Sequence, residues 1–253
     1  MQRLIQISDL HLFSDADMSL KGRQTRQGFL AVLAHIREHY ASVDRLLITG
    51  DLAHDGQAET YEMLRESLGD LAGCSRVLPG NHDGRMALRS VFPEELDLRS
   101  ETLNFSDLVG DWHIIGLDTQ DTGLLSGRLT EEQLAWLTNC LDEYDQHPTM
   151  IFMHHPPLHI GSAWIDAMLL QEPAAFQGIV AKAKQVRAVC CGHIHQAFEG
   201  KMGSTAVWTV PSTSMQFKPA TTGLELDDIP PGFRLIELDG ASIRTEIIRV
   251  PVG

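Results

Sequence analysis

The stretch "LLITGDLAHDG", residues 46–56, carries four apolar or β-branched residues into a glycine and then a carboxylate, that of Asp51. Such a run predicts a strand that is buried on both faces of a sheet. The glycine allows a sharp exit from the strand, so that the next side chain can turn toward a site beyond the strand end. The sequence therefore predicts that this strand delivers a carboxylate to one edge of a sheet.

The same arrangement recurs along the chain. Four other apolar runs end in polar side chains that can bind metals, which are Asp9 and His11, Asn81 and His82, His154 and His155, and His193 and His195. Ligand groups gather beyond the carboxyl ends of the strands in α/β sheets, so we expect these side chains to share one site. Imidazoles, carboxylates and one amide, without a thiolate, favour Mn²⁺, Fe, Zn²⁺ or Co²⁺.

Local spacing supports a shared site. The tripeptides "DLH" at 9–11 and "HIH" at 193–195 separate their polar residues by two positions. In an extended chain, that separation puts both side chains on one face. Three of the polar residues also follow a glycine that lets them turn toward a metal, and these glycines are Gly50, Gly80 and Gly192.

The number of these groups indicates two metal ions. About four protein ligands suffice for one catalytic metal, whereas the candidates here are Asp9, His11, Asp51, Asn81, His154, His193 and His195. Two cations need a bridge, and Asp51 is the natural choice because it is a carboxylate that lies between the flanking groups. Two divalent cations outweigh two carboxylates and a bridging hydroxide, so a phosphate is attracted locally although the formal net charge is −14.

Strand-like and helix-like segments alternate over most of the chain. Strands are predicted near 3–8, 45–49, 75–78, 112–117, 149–153 and 186–191. Helices are predicted from apolar stripes such as Phe29, Leu30, Leu33 and Ile36, and from a capping pattern that starts at Thr130. This alternation favours a layered α/β fold with a largely parallel sheet. We expect one domain over residues 1–253, in which strands within about 204–250 complete a second sheet.

Composition and charge narrow the classes of function. The net charge of −14 argues against a nucleic-acid-binding surface, which needs a basic footprint. No apolar stretch reaches the ~18 residues of a membrane span. The four cysteines form no CxxC pair and the N-terminus has no signal-peptide pattern. We therefore expect free thiols and a cytoplasmic protein without nucleic-acid or membrane partners, and the oligomeric state stays open.

The ordered series "DLH", "GDL", "GNHD", "HH" and "GHIH" resembles the calcineurin-like metallophosphoesterases over about residues 4–196. Each piece alone is common, but the ordered series is specific. More narrowly, "GHIHQ", "PSTSMQFKP" and "IPPGFRLIEL" are similar to the bacterial class III 3′,5′-cyclic AMP phosphodiesterases, which extends the similarity into the C-terminal part. The resemblance implies a four-layer α/β sandwich of two mixed β-sheets flanked by helices.

The resemblance also implies a role for each polar residue. One metal would be held by Asp9, His11, Asp51 and His195, and the other by Asp51, Asn81, His154 and His193. His82 would be the catalytic residue that faces the substrate phosphate without binding a metal. His155 is expected to support His154 from behind.

One departure from a related pattern concerns the metal identity. Purple acid phosphatases of this superfamily carry a tyrosine three residues after the bridging aspartate, and here that position is His54. A tyrosinate-stabilised ferric ion is therefore not expected, and His54 is expected at the rim of the site. Mn or Fe is the expected metal, and Zn, Co or Mg would also suit the ligands.

Two long loops, 156–173 and 211–232, are expected to decide substrate choice, because specificity lies in pocket contacts. Trp164 in the first loop either stacks on a nucleobase or anchors the loop by packing. Gln216 and Lys218 in the second loop are further candidates for substrate contact, and the alternative for Lys218 is a solvated surface charge.

The expected activity is hydrolysis of 3′,5′-cyclic AMP to 5′-AMP by attack of a metal-bridging hydroxide on phosphorus, with His82 assisting. One alternative keeps the metal centre and acts on glycerophosphodiesters or on a broad range of phosphodiesters. Another alternative is a non-catalytic scaffold on the same fold. Such a protein would have lost some of the metal-ligating residues. Cyclic GMP stays open as a substrate.

Overall fold

Thirteen strands and six α-helices form the part of the chain that the computed structural model describes, residues 1–93 and 101–252. The strands are β1 (Gln2–Ile7), β2 (Arg45–Thr49), β3 (Ser75–Leu78), β4 (Phe105–Val109), β5 (Trp112–Leu117), β6 (Thr149–Met153), β7 (Val186–Cys191), β8 (Glu199–Met202), β9 (Thr205–Thr209), β10 (Gln216–Phe217), β11 (Leu226–Asp227), β12 (Gly232–Asp239) and β13 (Ser242–Arg249). The helices are α1 (Thr25–His39), α2 (Ala58–Leu68), α3 (Arg85–Val91), α4 (Glu131–Glu143), α5 (Ala163–Asp166) and α6 (Ala174–Lys182).

Two mixed sheets carry the fold. The first has the strand order β13-β12-β1-β2-β3, in which β1, β2 and β3 are parallel and β12 is antiparallel to β1. The second has the order β4-β5-β6-β7-β9-β8, in which β5, β6, β7 and β9 are parallel and the two edge strands are antiparallel. Each predicted strand in the series from 3–8 to 186–191 is present.

Residues alternate between two cores along each central strand. In β2, Leu46 and Ile48 pack among the helices, whereas Leu47 faces the other sheet. In β6, Met150 and Phe152 face the first sheet, whereas Ile151 and Met153 face α4 and α6. This period of two is the signature of strands covered on both faces. The predicted four-layer sandwich, helices–sheet–sheet–helices, is confirmed.

The strands after residue 195 are divided between the two sheets, which differs from the expectation that they complete one second sheet. β8 and β9 extend the six-stranded sheet, whereas β12 and β13 join β1. The reason is burial on both faces of β12. Phe233 and Leu235 pack among the helices, whereas Ile236 and Leu238 face the other sheet. A strand of this kind needs cover on both sides, and the position beside β1 provides it.

The helices follow their apolar stripes with one correction. Phe29, Leu33 and Ile36 of α1 are buried as expected, but Leu30 is 42% exposed and Val32 is buried in its place. Leu30 lies about 100° around the helix from Phe29, beyond the edge of the buried face. The capping box at Thr130 is present at the start of α4. No helix within the described residues has the length and apolar character needed to cross a membrane.

Candidate active site

The carboxyl ends of five strands meet where the two sheets face each other, since β1, β2 and β3 end there from one sheet and β6 and β7 from the other. Gln6 of β1 joins the sheets, because its amide nitrogen donates to Thr49 Oγ1 at 3.0 Å and to Cys191 O at 3.3 Å. Six side chains gather at this junction in buried positions, which are Asp9, His11, Asp51, His154, His193 and His195.

Asp9, His11 and His195 form the first group at the junction, with one ligand atom from each lying within 4.8 Å of the others. His11 Nε2 is 3.1 Å from His195 Nε2, which is itself 3.4 Å from Asp9 Oδ1. The backbone N–H of His193 donates to both carboxylate oxygens of Asp9, at 3.1 and 3.0 Å. Three donor atoms converge on a volume that suits one cation.

The carboxylate of Asp51 stands between this group and His154. Its Oδ2 is 3.6 Å from His11 Nε2 and 3.5 Å from His154 Nε2. Its Oδ1 accepts the backbone N–H of His82 at 2.9 Å. One carboxylate oxygen therefore reaches both sides of the junction, as a bridging ligand must.

Three buried atoms of the candidate ligands have no hydrogen-bond partner among the described residues, namely Asn81 Oδ1, His154 Nε2 and His193 Nε2. A buried polar atom left unpaired costs about 1–3 kcal/mol, so three such atoms among the candidate ligands call for a bound group. Imidazole nitrogens and an amide oxygen are ligands for Mn, Fe or Zn. The residues thus fit two cations with Asp51 between them.

Backbone carbonyls orient two of the imidazoles. His154 Nδ1 donates to Thr49 O at 2.8 Å, and His195 Nδ1 donates to Met215 O at 2.8 Å. A ring that donates through Nδ1 keeps its lone pair on Nε2, which is the atom that faces the junction in both residues. The fold therefore sets the tautomer that a metal needs.

Burial and charge prepare these groups for metal binding. Burial lowers the pKa of His11 and that of His193 to about 3 in each case, so both rings are neutral at neutral pH. Burial opposes ionisation of Asp51, but its interactions with His154, His11 and His82 together hold the pKa of Asp51 well below its usual range. Burial also opposes the charged form of His154, but Asp51, Asp9 and the carbonyl of Thr49 together raise its pKa to about 9. A cation that binds His154 must therefore displace a proton.

Five of the side chains at the junction sit on left-handed backbone, with φ of 55° at Asp9, 46° at His11, 52° at Asp51, 72° at His193 and 51° at His195. The expectation that "DLH" and "HIH" are extended is wrong. The middle residue of each tripeptide, Leu10 or Ile194, is fully buried. The left-handed conformation of the residues on either side of it turns the two polar side chains of each tripeptide toward the site. Such a conformation costs of order 1–3 kcal/mol per residue and clusters at functional sites.

Two glycines make room for the carboxylate and the imidazole. Gly50 has φ of +94°, and a Cβ there would lie 2.3 Å from His154 Nδ1. Gly80 does not have positive φ, but a Cβ there would lie 2.2 Å from Asp51 Oδ1 and 2.4 Å from Asp51 N. Gly80 is therefore required for close approach and not for a sharp turn, which refines the expectation from the sequence.

His82 lies half-buried at the mouth of the junction. Its backbone is held by Asp51, and its ring centroid is 5.0 Å from that of His11 at 78°. On its other side, the ring of His54 stacks on it at 4.6 Å and 26°. His82 thus borders His11 and is partly exposed, which suits a residue that contacts substrate.

Both ring nitrogens of His155 have partners within the chain. Its Nδ1 is 2.8 Å from Thr119 Oγ1, and its Nε2 is 3.2 Å from Leu125 O. Its ring packs at 4.6 Å from the ring of His193. The geometry suits a supporting residue, and it supports His193 as well as His154.

Asp83 is a supporting residue that the sequence reasoning did not single out. It accepts the N–H groups of Leu52, Ala53 and Gly80 at 3.2, 2.9 and 2.8 Å, and the Tyr61 hydroxyl at 2.9 Å. Burial, followed by the charge of Asp51, raises the pKa of Asp83 to about 7. Asp83 ties the loops after β2 and β3 together. Asp83 is the fourth residue of the "GNHD" motif, which could have marked it. Its role, however, depends on backbone N–H donors from other segments, and a sequence motif does not show these.

The structure shows which contacts hold the candidate substrate-contacting residues of the two long loops. Trp164 joins the loops, since its indole N–H donates to Thr221 Oγ1 at 3.0 Å and its ring meets Phe217 at 5.3 Å and 68°. Phe217 in turn stacks on His195 at 4.1 Å and 10°. These contacts favour the anchoring interpretation of Trp164 over nucleobase stacking.

The other two candidates are engaged elsewhere. Gln216 is buried and uses both ends of its amide internally, since it donates to Ser212 O at 2.7 Å and accepts from Arg249 at 2.9 Å. Lys218 is half exposed and lies 3.6 Å from Glu225. These contacts engage the Gln216 amide within the chain and fit the surface alternative for Lys218, and substrate contact by either residue stays a prediction.

Comparisons with known proteins agree with this geometry. Residues 2–197 match the family model described as calcineurin-like phosphoesterase. The chain is 35% identical over 252 residues to the 3′,5′-cyclic adenosine monophosphate phosphodiesterase CpdA of Vibrio vulnificus, covering 99% of this chain and 91% of that one. It is 37% identical over 250 residues to a 3′,5′-cyclic-nucleotide phosphodiesterase of a Nostoc species, covering 98% and 92%.

A solved structure shares the fold at low identity. The purple acid phosphatase PPD1 from yellow lupin superposes with a TM-score of 0.72 at 16% identity, covering 98% of this chain and 51% of that one. With a family model that spans most of the chain and relatives above 30% identity over nearly its full length, this chain belongs to the calcineurin-like phosphoesterases.

Proposed function

We propose that this protein is a 3′,5′-cyclic AMP phosphodiesterase that works with two divalent cations. The observation that carries the proposal is Asp51 Oδ2 lying between His11 and His154. The buried atoms Asn81 Oδ1 and His193 Nε2, which have no hydrogen-bond partner among the described residues, are further candidate ligands. The activities for which the Vibrio and Nostoc relatives are named support the substrate class.

In this proposal Asp9, His11, Asp51 and His195 hold one cation, and Asp51, Asn81, His154 and His193 hold the other. The bound cations supply a nucleophilic hydroxide near neutral pH and neutralise charge on the phosphoryl oxygens. Mn²⁺ or Fe suits this mixture of imidazoles, carboxylates and an amide, and Zn²⁺, Co²⁺ or Mg²⁺ are the other choices. We place the enzyme in the cytoplasm.

His82 is the residue of the chain proposed to act on the reacting phosphate. Its backbone N–H is fixed on Asp51 Oδ1 at 2.9 Å, and its ring borders His11. From this position a protonated ring can bond a phosphoryl oxygen or donate its proton to the departing ribose 3′-oxygen. General acid help of this kind is worth roughly 10²–10⁴ in rate.

The test is a comparison of steady-state rates for cyclic AMP, cyclic GMP, 2′,3′-cyclic AMP and glycerophosphocholine, with metal content measured on the same sample. The proposal predicts the highest kcat/KM for cyclic AMP, with 5′-AMP as product and two cations per chain. A higher kcat/KM for glycerophosphocholine would move the substrate to glycerophosphodiesters. Absence of hydrolysis with both cations bound would instead support a scaffold.

A further inference from the structure

His54 lies against the candidate metal centre without belonging to either proposed ligand set. It follows Asp51 by three residues, and it is half-buried. Its Nδ1 is 3.3 Å from Nδ1 of His11. Its ring is held between Phe13, at 5.1 Å and 55°, and His82, at 4.6 Å and 26°. The loop after β2 thus fixes a third imidazole beside His11 and His82.

The orientation of His11 determines what His54 can do. His11 turns Nε2 into the centre, where it lies 3.1 Å from His195 Nε2 and 3.6 Å from Asp51 Oδ2. An imidazole that binds a cation through Nε2 carries its proton on Nδ1 and must donate that proton to an acceptor. The hydrogen bond that the structure gives this Nδ1 goes to Nδ1 of His54. His54 then carries its own proton on Nε2.

Two other proposed metal ligands with an Nδ1 hydrogen bond, His154 and His195, use a different kind of partner. His154 donates to the carbonyl of Thr49 and His195 to that of Met215, and both carbonyls are fixed by the backbone. His11 depends on a side chain. A substitution can therefore remove this one orienting contact and leave the backbone of the site in place.

We propose that His54 is a positioning residue, which accepts the Nδ1–H of His11 and fixes the tautomer and ring orientation of that ligand for the cation shared with Asp9 and His195. This inference rests on the proposed dinuclear centre. The stack between His54 and His82 is a separate contact, and it must be kept or removed independently in a test.

Two substitutions separate the acceptor from the ring. His54→Asn keeps an oxygen close to the position of Nδ1 and loses the ring between Phe13 and His82. His54→Phe keeps an aromatic ring in that position and loses the acceptor. Dissociation constants for both cations are measured by Mn²⁺ titration against a competing chelator, and Co²⁺ absorption spectra report the ligand geometry. Thermal midpoints of the cation-free proteins check that each variant folds.

Loss of an orienting partner of a metal ligand typically weakens binding 10- to 100-fold. We expect His54→Phe to weaken one of the two cations by this factor and to change the Co²⁺ spectrum, while the other cation binds as in the wild type. We expect His54→Asn to restore binding of the weakened cation. Wild-type affinity for both cations in His54→Phe, or equal weakening in both variants, would overturn the role of the acceptor.

A measurement on the wild-type protein tests the inference even if the variants do not fold. Long-range ¹H–¹⁵N spectra of the protein loaded with diamagnetic Zn²⁺ assign the tautomers of His11 and His54. The inference predicts protons on Nδ1 of His11 and on Nε2 of His54, and a proton on Nδ1 of His54 would overturn it. If the wild type binds no pair of cations, the proposed function fails and this inference fails with it. The opposite pattern, two bound cations with no effect of His54→Phe, overturns this inference alone.

Discussion

Gly80→Ala tests whether the position of Asp51 decides metal binding. A Cβ at residue 80 would lie 2.2 Å from Asp51 Oδ1 and 2.4 Å from Asp51 N. Ordinary non-bonded contact lies near 3.5 Å, so the two segments must separate by about 1.3 Å. One of the two close atoms is backbone, so a side-chain rotation cannot relieve the contact. A shift of that size removes Oδ2 from its place between His11 and His154.

The expected cost follows from the size of the shift. A misplacement of about 1 Å in a reacting constellation costs roughly 100-fold in rate. We therefore expect Gly80→Ala to lower kcat/KM for cyclic AMP by at least about 100-fold and to retain fewer than two cations per chain. Formation of 5′-AMP is measured by chromatography, and cation content by mass spectrometry of the same dialysed sample.

Gly178→Ala is the matched control. Gly178 lies in α6, and a Cβ there would meet no atom within 4 Å. Alanine at a helical position stabilises by about 0.5–1 kcal/mol relative to glycine, so this variant should keep full activity and both cations. Wild-type kcat/KM and two bound cations in Gly80→Ala would refute the argument that Asp51 must stay where it is.

The remaining predictions concern the bridge, the catalytic imidazole and the loops. Asp51→Asn should abolish hydrolysis and lower the cation content below two per chain, because a neutral amide bridges two cations poorly; near-normal turnover at full occupancy would remove Asp51 from the bridge. His82→Ala should keep both cations and lower kcat by roughly 10²–10⁴, with a smaller loss for substrates with good leaving groups if proton donation is its role; lost cations would make it a ligand instead. Trp164→Ala should lower kcat/KM for cyclic AMP and for bis(p-nitrophenyl) phosphate by similar factors and should lower the thermal midpoint. The reason is that the indole joins two loops that contact His195 through Phe217. A loss confined to cyclic AMP would instead support nucleobase stacking by Trp164.

The strands were predictable because burial on both faces leaves a clear mark on sequence. Short apolar runs such as that of β2, Arg45–Thr49, end abruptly in a glycine and a charged residue. The topology of an α/β sheet then gathers the strand ends at one place, whatever the details of the loops. The convergence of Asp9, Asp51 and His154 therefore followed from pattern and topology before any distance was known.

The local geometry was less predictable, because it depends on contacts between distant segments. The left-handed backbone at Asp9 and His11 is held by hydrogen bonds to Gly50 O and Asp51 O, which come from another strand end. β12 could be recognised as a strand, but its place beside β1 depended on which sheet offered cover for both faces. Gln216 gave no sign in sequence that Arg249, 33 residues away, would occupy its amide.

The central feature of the proposed site is that two cations share Asp51. Electron paramagnetic resonance of the protein loaded with two equivalents of Mn²⁺ per chain tests it most directly. Metals in two-metal sites lie about 3.5–4 Å apart, close enough for their spins to couple through a shared carboxylate. We predict a spectrum of exchange-coupled Mn²⁺ pairs in the wild type. A spectrum that is only the sum of isolated Mn²⁺ ions at full loading would contradict the shared bridge.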